Sequence, residues 1–325
     1  QTGSNIVQSA ERSFSIITNR QAGGFFDIMK YMKKKSVLII LGILIGFNIL
    51  AWIGVWQVSQ SYLEVTFFDV GQGDSIFIET TQRQQILIDG GPDETVLEKL
   101  GKEMPFWDRT IDLIILTHPE KDHLAGLIEV LKRYKVENIL WTGIVRDTAE
   151  YREWQKLIKE EGAKIFIASS GLRISGAPTS RGRSELVVLY PFESLESKEL
   201  KDSNNTSIIA RLVFGETSFL FTGDAYQSAE KELVLDSVKH KTQIDSGVLK
   251  IGHHGSKTSS AEEFIEQVSP AIAVISVGRE NKYGHPRPEV LEVLRKYGTN
   301  ILRTDQNGDI KIISNGINYV SHIQN

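Results

Sequence analysis

Thr117-His118-Pro119-Glu120-Lys121-Asp122-His123 follows an apolar run at 111–116 that reads as a strand. It precedes Leu124, Leu127, Ile128 and Leu131, whose spacing marks one face of a helix expected over 122–134. Two histidines and two carboxylates on one strand-to-helix turn would repel and desolvate each other without a cation between them. The segment therefore predicts a metal site at the carboxyl end of a strand. The chain has no cysteine, so thiolate ligation and disulfides are excluded, and the ligands must be His, Asp, Glu or Asn.

Other chemistry-bearing residues recur in the same kind of place. Thr222-Gly223-Asp224 follows the apolar run 218–221; by itself a Gly-Asp there is an ordinary turn, and its weight comes from the other motifs. Gly252-His253-His254-Gly255-Ser256 follows the run 248–251. Adjacent histidines point in different directions, so one can bind metal while the other faces substrate. His285 lies in the turn Asn281-Lys282-Tyr283-Gly284-His285-Pro286. Five of the seven histidines thus fall in strand-end loops, where a site built on sheet ends collects its residues. His240 and His322 lack such a context and read as surface residues.

Outward from these motifs, short apolar runs alternate with helical periodicity. Strands are expected at 64–70, 75–79 and 85–89, at 138–141, 164–167 and 185–190, and in a hairpin over 206–222 turning at Gly215-Glu216. Further strands are expected at 248–251 and 271–276 and around Ile301 and Ile310, with helices over 148–161 and near Ala261 and Pro288. Two mixed halves of this kind imply an α/β protein of stacked sheets with helices outside. The Ser-, Gly- and Arg-rich stretch 169–184 reads as one long loop, either a solvated insertion or a basic substrate loop made by Arg173, Arg181 and Arg183.

Residues 36–63 carry no charge, and the run 37–58 is apolar on all sides, with Trp52 and Trp56 near one end and Lys33-Lys34-Lys35 before the other. About 20 such residues cross a bilayer as a helix, and a signal-peptide core of roughly 7–15 would be shorter. An uncleaved transmembrane helix over 36–60 is expected, single and with its lysines cytoplasmic, which places the following domain, 62–325, outside the cytoplasm. Residues 1–35 form an N-terminal segment of unassigned role, in which Met29 and Met32 stand where a natural start would. Residues 1–63 carry a net charge of +4, which against a total of −4 leaves −8 for the remainder.

The ordered set Phe68-Asp-Val-Gly-Gln-Gly-Asp-Ser75, Leu87-Ile-Asp-Gly-Gly91, the His118 to His123 turn, Asn204-Asn-Thr-Ser207, Thr222-Gly-Asp224, His253-His-Gly-Ser256 and Tyr283-Gly-His-Pro286 resembles the extracytoplasmic metallo-β-lactamase domain of ComEC-type DNA-uptake competence proteins. The resemblance covers nearly all of 62–320 and implies the metallo-β-lactamase αββα sandwich, preceded here by one transmembrane helix. It implies two divalent ions, with His118 and Glu120 at the first, Asp122, His123 and His253 at the second, and Asp224 bridging. Most of the superfamily has His where Glu120 stands and competence-type members usually have Asp; a further His common in the family falls in the segment 204–207, which here has none. Such an oxygen-rich set leans toward Mn2+ or Mg2+, with Zn2+ also open.

Two-ion sites stabilise both the attacking and leaving oxygens of a phosphodiester. Asp122 is expected to position the attacking water, and His254, Lys257 or His285 to stabilise the phosphate or protonate the leaving group. The implied substrate is DNA, single-stranded, degraded during uptake, with a polytopic competence channel either as partner or as the missing remainder of the chain. The acidic balance points the other way, because a phosphate-neutralising groove shows a basic excess. A hydrolase of small phosphodiesters or other esters, and a catalytically weak domain that only binds DNA, are the alternatives.

Overall fold

The computed structural model describes residues 34–59, 62–176, 182–200 and 202–324. The expectations at 1–33 and at Arg181 lie outside them. The chain divides into two units, Gln1–Ser59 and Gln60–Asn325. In the first, helix α1, Lys34–Ser59, contains a 21-residue stretch, Lys35–Val55, of mean hydropathy 2.5, long and apolar enough to cross a membrane.

The second unit opens with strands β1 (Leu63–Phe67), β2 (Ile76–Glu79) and β3 (Gln85–Ile88), helix α2 (Thr95–Glu103), β4 (Thr110–Leu116) and helix α3 (Lys121–Leu131). It continues through β5 (Lys135–Trp141), α4 (Ala149–Glu161), β6 (Lys164–Ile167), β7 (Arg173–Ser175), β8 (Ser184–Tyr190), β9 (Ile209–Phe214) and β10 (Thr217–Phe221). Helix α5 (Gln227–His240), β11 (Val248–Lys250), α6 (Glu262–Val268), β12 (Ile272–Ile275), α7 (Pro288–Lys296), β13 (Asn300–Arg303), a single helical turn at Thr304–Asn307, β14 (Asp309–Ser314) and β15 (Tyr319–Gln324) follow. Helix α4 shows how locally the ends are set. Thr148 Oγ1 accepts from the Tyr151 N–H at 3.2 Å to start it, and Gly162, at φ 69°, stops it in the left-handed conformation that glycine adopts without strain.

The strands form an eight-stranded sheet, β15-β14-β1-β2-β3-β4-β5-β6, and a seven-stranded sheet, β13-β12-β11-β10-β9-β8-β7. Alternation sorts their side chains into layers. Leu63, Val65 and Phe67 of β1, Leu113 and Ile115 of β4, and Phe219 and Phe221 of β10 fill the space between the sheets. Ile114 and Leu116 face the other way, under Val96 and Leu100 of α2, Leu124 and Leu127 of α3 and Trp154 of α4. On the second sheet Leu220 and Leu249 are covered by Leu233 of α5, Phe264 and Ile265 of α6 and Leu294 of α7. Each fully buried side chain of this size contributes roughly 1.5–3 kcal/mol. Strands such as β4 read as continuous apolar runs because they are covered on both faces. The architecture is the αββα sandwich expected.

Strands β1, β3, β4, β5 and β6 point one way, and β10 to β13 run parallel to one another. The loops that leave β1, β4, β8, β10, β11 and β12 carry the residues that meet in one recess. The stretch expected as a single loop at 169–184 contains β7, paired antiparallel with β8 through Arg173↔Val187. Helices α2 and α5 are additions to the sequence expectation.

Candidate metal centre

After β4, His118 is fully buried, and one turn later His123 stands in the first turn of α3. Asp89, at the end of β3 with φ 58°, fastens both ends of this loop. Its Oδ1 accepts from the Thr117 N–H at 2.8 Å, and its Oδ2 accepts from the Thr117 hydroxyl at 2.6 Å and meets His123 Nδ1 at 2.8 Å. That contact turns His123 Nε2 toward the interior of the site, as an outer partner does for a metal-binding histidine.

Among the described residues, Asp122, His123, Asp224 and His254 offer ligand atoms that all lie within 4.8 Å of one another. Asp224 Oδ1 is 3.4 Å from His123 Nε2, and its Oδ2 is 3.5 Å from His254 Nε2. Asp122 Oδ2 is 3.3 Å from the same His254 nitrogen. His118 Nε2 and His253 Nε2 approach Asp224 Oδ2 at 3.9 and 3.8 Å. Asp224 is therefore shared by all four histidines.

The chemistry of the donors fits a cation. His118 Nε2, His123 Nε2, His254 Nε2 and Asp224 Oδ1 are buried without a hydrogen-bond partner, whereas buried polar atoms are ordinarily satisfied. Electrostatics agrees. Burial opposes charge on His254, but Asp224, Asp122 and Asp74 overcome it and push its pKa up to about 10. His123 is likewise raised despite burial, by Asp224, Asp89 and Asp122. Burial and the neighbouring His123 push His118 down to about 3. Without a cation the carboxylates must draw protons onto two imidazoles, and a divalent ion would replace those protons.

The two adjacent histidines point to different partners through an unusual backbone. His253 and His254 have φ of 47° and 53°, both left-handed, where non-glycine residues are uncommon. His254 Nδ1 donates to the Ser276 carbonyl at 2.9 Å, leaving Nε2 for the site. His253 meets Asn204 Nδ2 at 3.2 Å through Nε2 and Thr258 Oγ1 at 2.9 Å through Nδ1. The structure thus places His254 inside the four-residue group and His253 at its margin, whereas the sequence expectation had His253 in the second set and His254 toward substrate. Glu120 is turned to other partners: Arg146 Nη2 donates to its Oε1 at 2.6 Å, and the Ser203 hydroxyl donates to the same oxygen.

Gln72, Glu120, Asp122, Asn204, Asp224, His253, His254, Tyr283 and His285 line a recess of about 230 Å³. Burial, with help from His253 and His254, pushes His285 down to about 4, so this imidazole is neutral at pH 7. Lys257 is exposed and is not among the lining residues. His240 meets Asp236 at the end of α5, and His322 is exposed on β15, both on the surface as expected.

The sequence profile of the Metallo-beta-lactamase superfamily matches residues 68–279. The chain belongs to this superfamily. It is 35% identical over 268 residues to ComE operon protein 3 of Bacillus subtilis (strain 168), covering 76% of this chain and 32% of that protein. It is 32% identical over 260 residues to competence protein ComA of Neisseria gonorrhoeae, covering 78% of this chain and 33% of that one. With recombination protein 2 of Haemophilus influenzae it shares 29% over 274 residues, covering 83% and 31%. The chain thus spans about a third of the length of these curated relatives. Superfamily membership and the His/Asp cluster together make it a metal-dependent hydrolase in general terms.

Within this superfamily site, sequence reading gave no role to Asp74, Asp89 and Lys250. Lys250 is fully buried; its ammonium pairs with Asp74 Oδ2 and donates to the Gly223 carbonyl at 3.1 Å. Burial opposes charge on Asp74, but Lys250 and His254 hold its carboxyl below the usual range. Asp74 Oδ1 in turn lies 3.4 Å from His254 Nδ1, so the pair braces the back of the site. The available signals were a lysine inside an apolar strand and Asp-Gly-Gly after another.

Proposed function

We propose that residues 62–325 are a metal-dependent phosphodiesterase that cuts DNA, single-stranded at the point of attack, during its uptake. In this reading α1 is a single membrane span and the domain lies outside the cytoplasm, working with a polytopic competence channel. The observation that carries the chemistry is the convergence of four unpartnered buried atoms, on His118, His123, Asp224 and His254. The competence relatives named above support DNA as the substrate. Asp122, His123, Asp224 and His254 would hold one divalent ion, and His118, His253 and the shared Asp224 a second, with Mn2+ or Zn2+ the suited metals and Mg2+ a weaker candidate. Ions held there would activate water and neutralise charge on phosphoryl oxygens.

The chain's own residues do the rest. Asp89 and Ser276 fix the faces of His123 and His254. Neutral His285 at the rim is suited to hydrogen-bond a phosphoryl oxygen or take a proton, and Gln72 and Asn204 offer amide donors there. Lys257, outside the recess, would act on an incoming phosphate as a point charge.

Two observations favour other readings. The small recess and the acidic balance suit a small phosphodiester. The Arg146 and Ser203 bonds to Glu120 suit a weakened site that binds DNA with one ion. Manganese-supplemented digestion of end-labelled single-stranded DNA by residues 62–325, beside hydrolysis of bis(p-nitrophenyl) phosphate, separates them. Cleavage of the ester alone supports the small substrate. Elemental analysis showing as much metal in Asp122→Ala as in the wild type would remove the metal-centre reading itself. A reporter fused after Asn325 and found in the cytoplasm would overturn the orientation.

A further inference from the structure

The strand ends that carry the recess have a counterpart. Because β1, β3, β4, β5 and β6 share one direction, their amino ends form the edge of the domain remote from the recess. Exposed apolar side chains collect there. Phe106 and Trp107, in the turn that feeds β4 at Thr110, are 81% and 73% exposed and pack edge-to-face on each other at 4.8 Å. Ile317, 64% exposed, is at the tip of the β14–β15 hairpin, whose Ser314 pairs with Leu63 at the start of β1. A lone exposed apolar residue is ordinary, but an adjacent Phe-Trp pair left in water is not. The hairpin tip and the Phe106-Trp107 turn stand at β14 and β4, four strand spacings apart in the sheet order, or roughly 20 Å at about 4.8 Å per spacing.

The chain enters the domain at this same edge. Leu63 opens β1 four residues after Ser59 ends α1, with Tyr62, itself partly exposed, just before it. Aromatic residues, tryptophan above all, settle at the headgroup level of bilayers, where a ring can be apolar on its body and wet at its N–H. We infer that the edge bearing Phe106, Trp107 and Ile317 rests on a lipid bilayer at headgroup depth, holding the recess turned away from the membrane. The inference rests on the reading of α1 as a span in that bilayer. Two contact points and the chain entry fix a tilt that a single tether would leave free, so a long polymer would meet the recess from the aqueous side.

The absence of native cysteine makes the test direct. Single variants Phe106→Cys, Ile317→Cys, Glu280→Cys at the recess side and Ile45→Cys in α1 are labelled with an environment-sensitive fluorophore, and the full chain is reconstituted in phosphatidylcholine–phosphatidylglycerol vesicles. Shallow spin-labelled lipid should quench the labels at 106 and 317 by about twofold or more, as for groups at headgroup depth. Deep spin-labelled lipid should quench the label at 45, and the label at 280 should respond to neither. Quenching at 45 with positions 106 and 317 behaving like 280 overturns the inference and leaves the span intact. No quenching at 45, 106 or 317 removes both. Quenching at 106 and 317 without 45 keeps the docked edge and removes the span, and quenching at only one of 106 and 317 refutes the fixed tilt.

Discussion

The position of helix α3, which carries Asp122 and His123, is set by two glycines, and Gly126→Ala tests that dependence. Gly126 of α3 faces Gly90 beyond β3, where the backbones approach closely enough to exchange hydrogen bonds. Gly90 N–H donates to the His123 carbonyl at 2.8 Å, and Gly126 N–H to the Gly91 carbonyl at 3.0 Å. A Cβ on Gly126 would stand 1.9 Å from the Gly90 carbonyl oxygen and 2.8 Å from that of Asp93. Carbon and carbonyl oxygen sit comfortably at about 3.3 Å or more, so the helix must withdraw by more than about 1 Å. Overpacking of this kind costs about 1–3 kcal/mol. Each hydrogen bond lost adds about 0.5–1.5 kcal/mol, and alanine's better helix propensity returns about 0.5–1 kcal/mol. The net expectation is a loss of about 2 kcal/mol, read as a lower urea midpoint with unchanged slope. Because α3 carries Asp122 and His123, and such sites tolerate displacements of only about 0.5 Å, metal affinity should fall at least about tenfold. Gly101→Ala in α2 is the matched control: no atom lies within 4 Å of its added Cβ, and it should stabilise by about 0.5–1 kcal/mol. A Gly126→Ala protein with wild-type midpoint and wild-type metal affinity would refute the close-approach argument.

Glu230 is almost wholly buried and accepts the backbone N–H groups of Ser260 and Ala261, and burial pushes its pKa from an ordinary 4.5 up to about 7. Between those values the folded chain keeps a proton that the unfolded chain has lost, so stability falls as pH rises, by about 3 kcal/mol over the whole window. Unfolding of wild type and Glu230→Gln from pH 4 to 8 should show that slope in the former and a flatter profile in the latter; equal slopes would count against it. Lys250→Met leaves Asp74 buried without its cation and should cost about 3–5 kcal/mol, part of which returns on adding Asp74→Asn. A double variant no more stable than the single one would contradict the pairing. Arg146→Ala should release Glu120 and tighten manganese binding on the His118 side, and a titration identical to wild type would mean that the Arg146 bond does not restrain that carboxylate.

What was legible in the sequence was what is local. Apolar runs such as 111–116 and 218–221 declare themselves as strands because both faces are covered, and the ligand-type residues after them declare a site because they crowd one turn. Helices α2 and α5 carry a weak sequence signal because Thr95–Glu103 buries only Val96 and Leu100 on an apolar face, and Gln227–His240 carries Leu235 and Val238 toward solvent, which blurs its period. Which histidine of the adjacent pair turns inward depends on two successive left-handed residues, and no composition rule signals that conformation for His-His. The remaining gaps are long-range. Glu120 is decided by Arg146, 26 residues away, and by Ser203, 83 away. Asp74 is completed by Lys250 on the other sheet, a lysine inside an apolar run that becomes, once β11 is enclosed on both faces, the buried cation that keeps Asp74 charged beside the histidines. A motif can therefore point to a metal site, while the placing of its candidate ligands depends on partners that only the closed sandwich brings within reach.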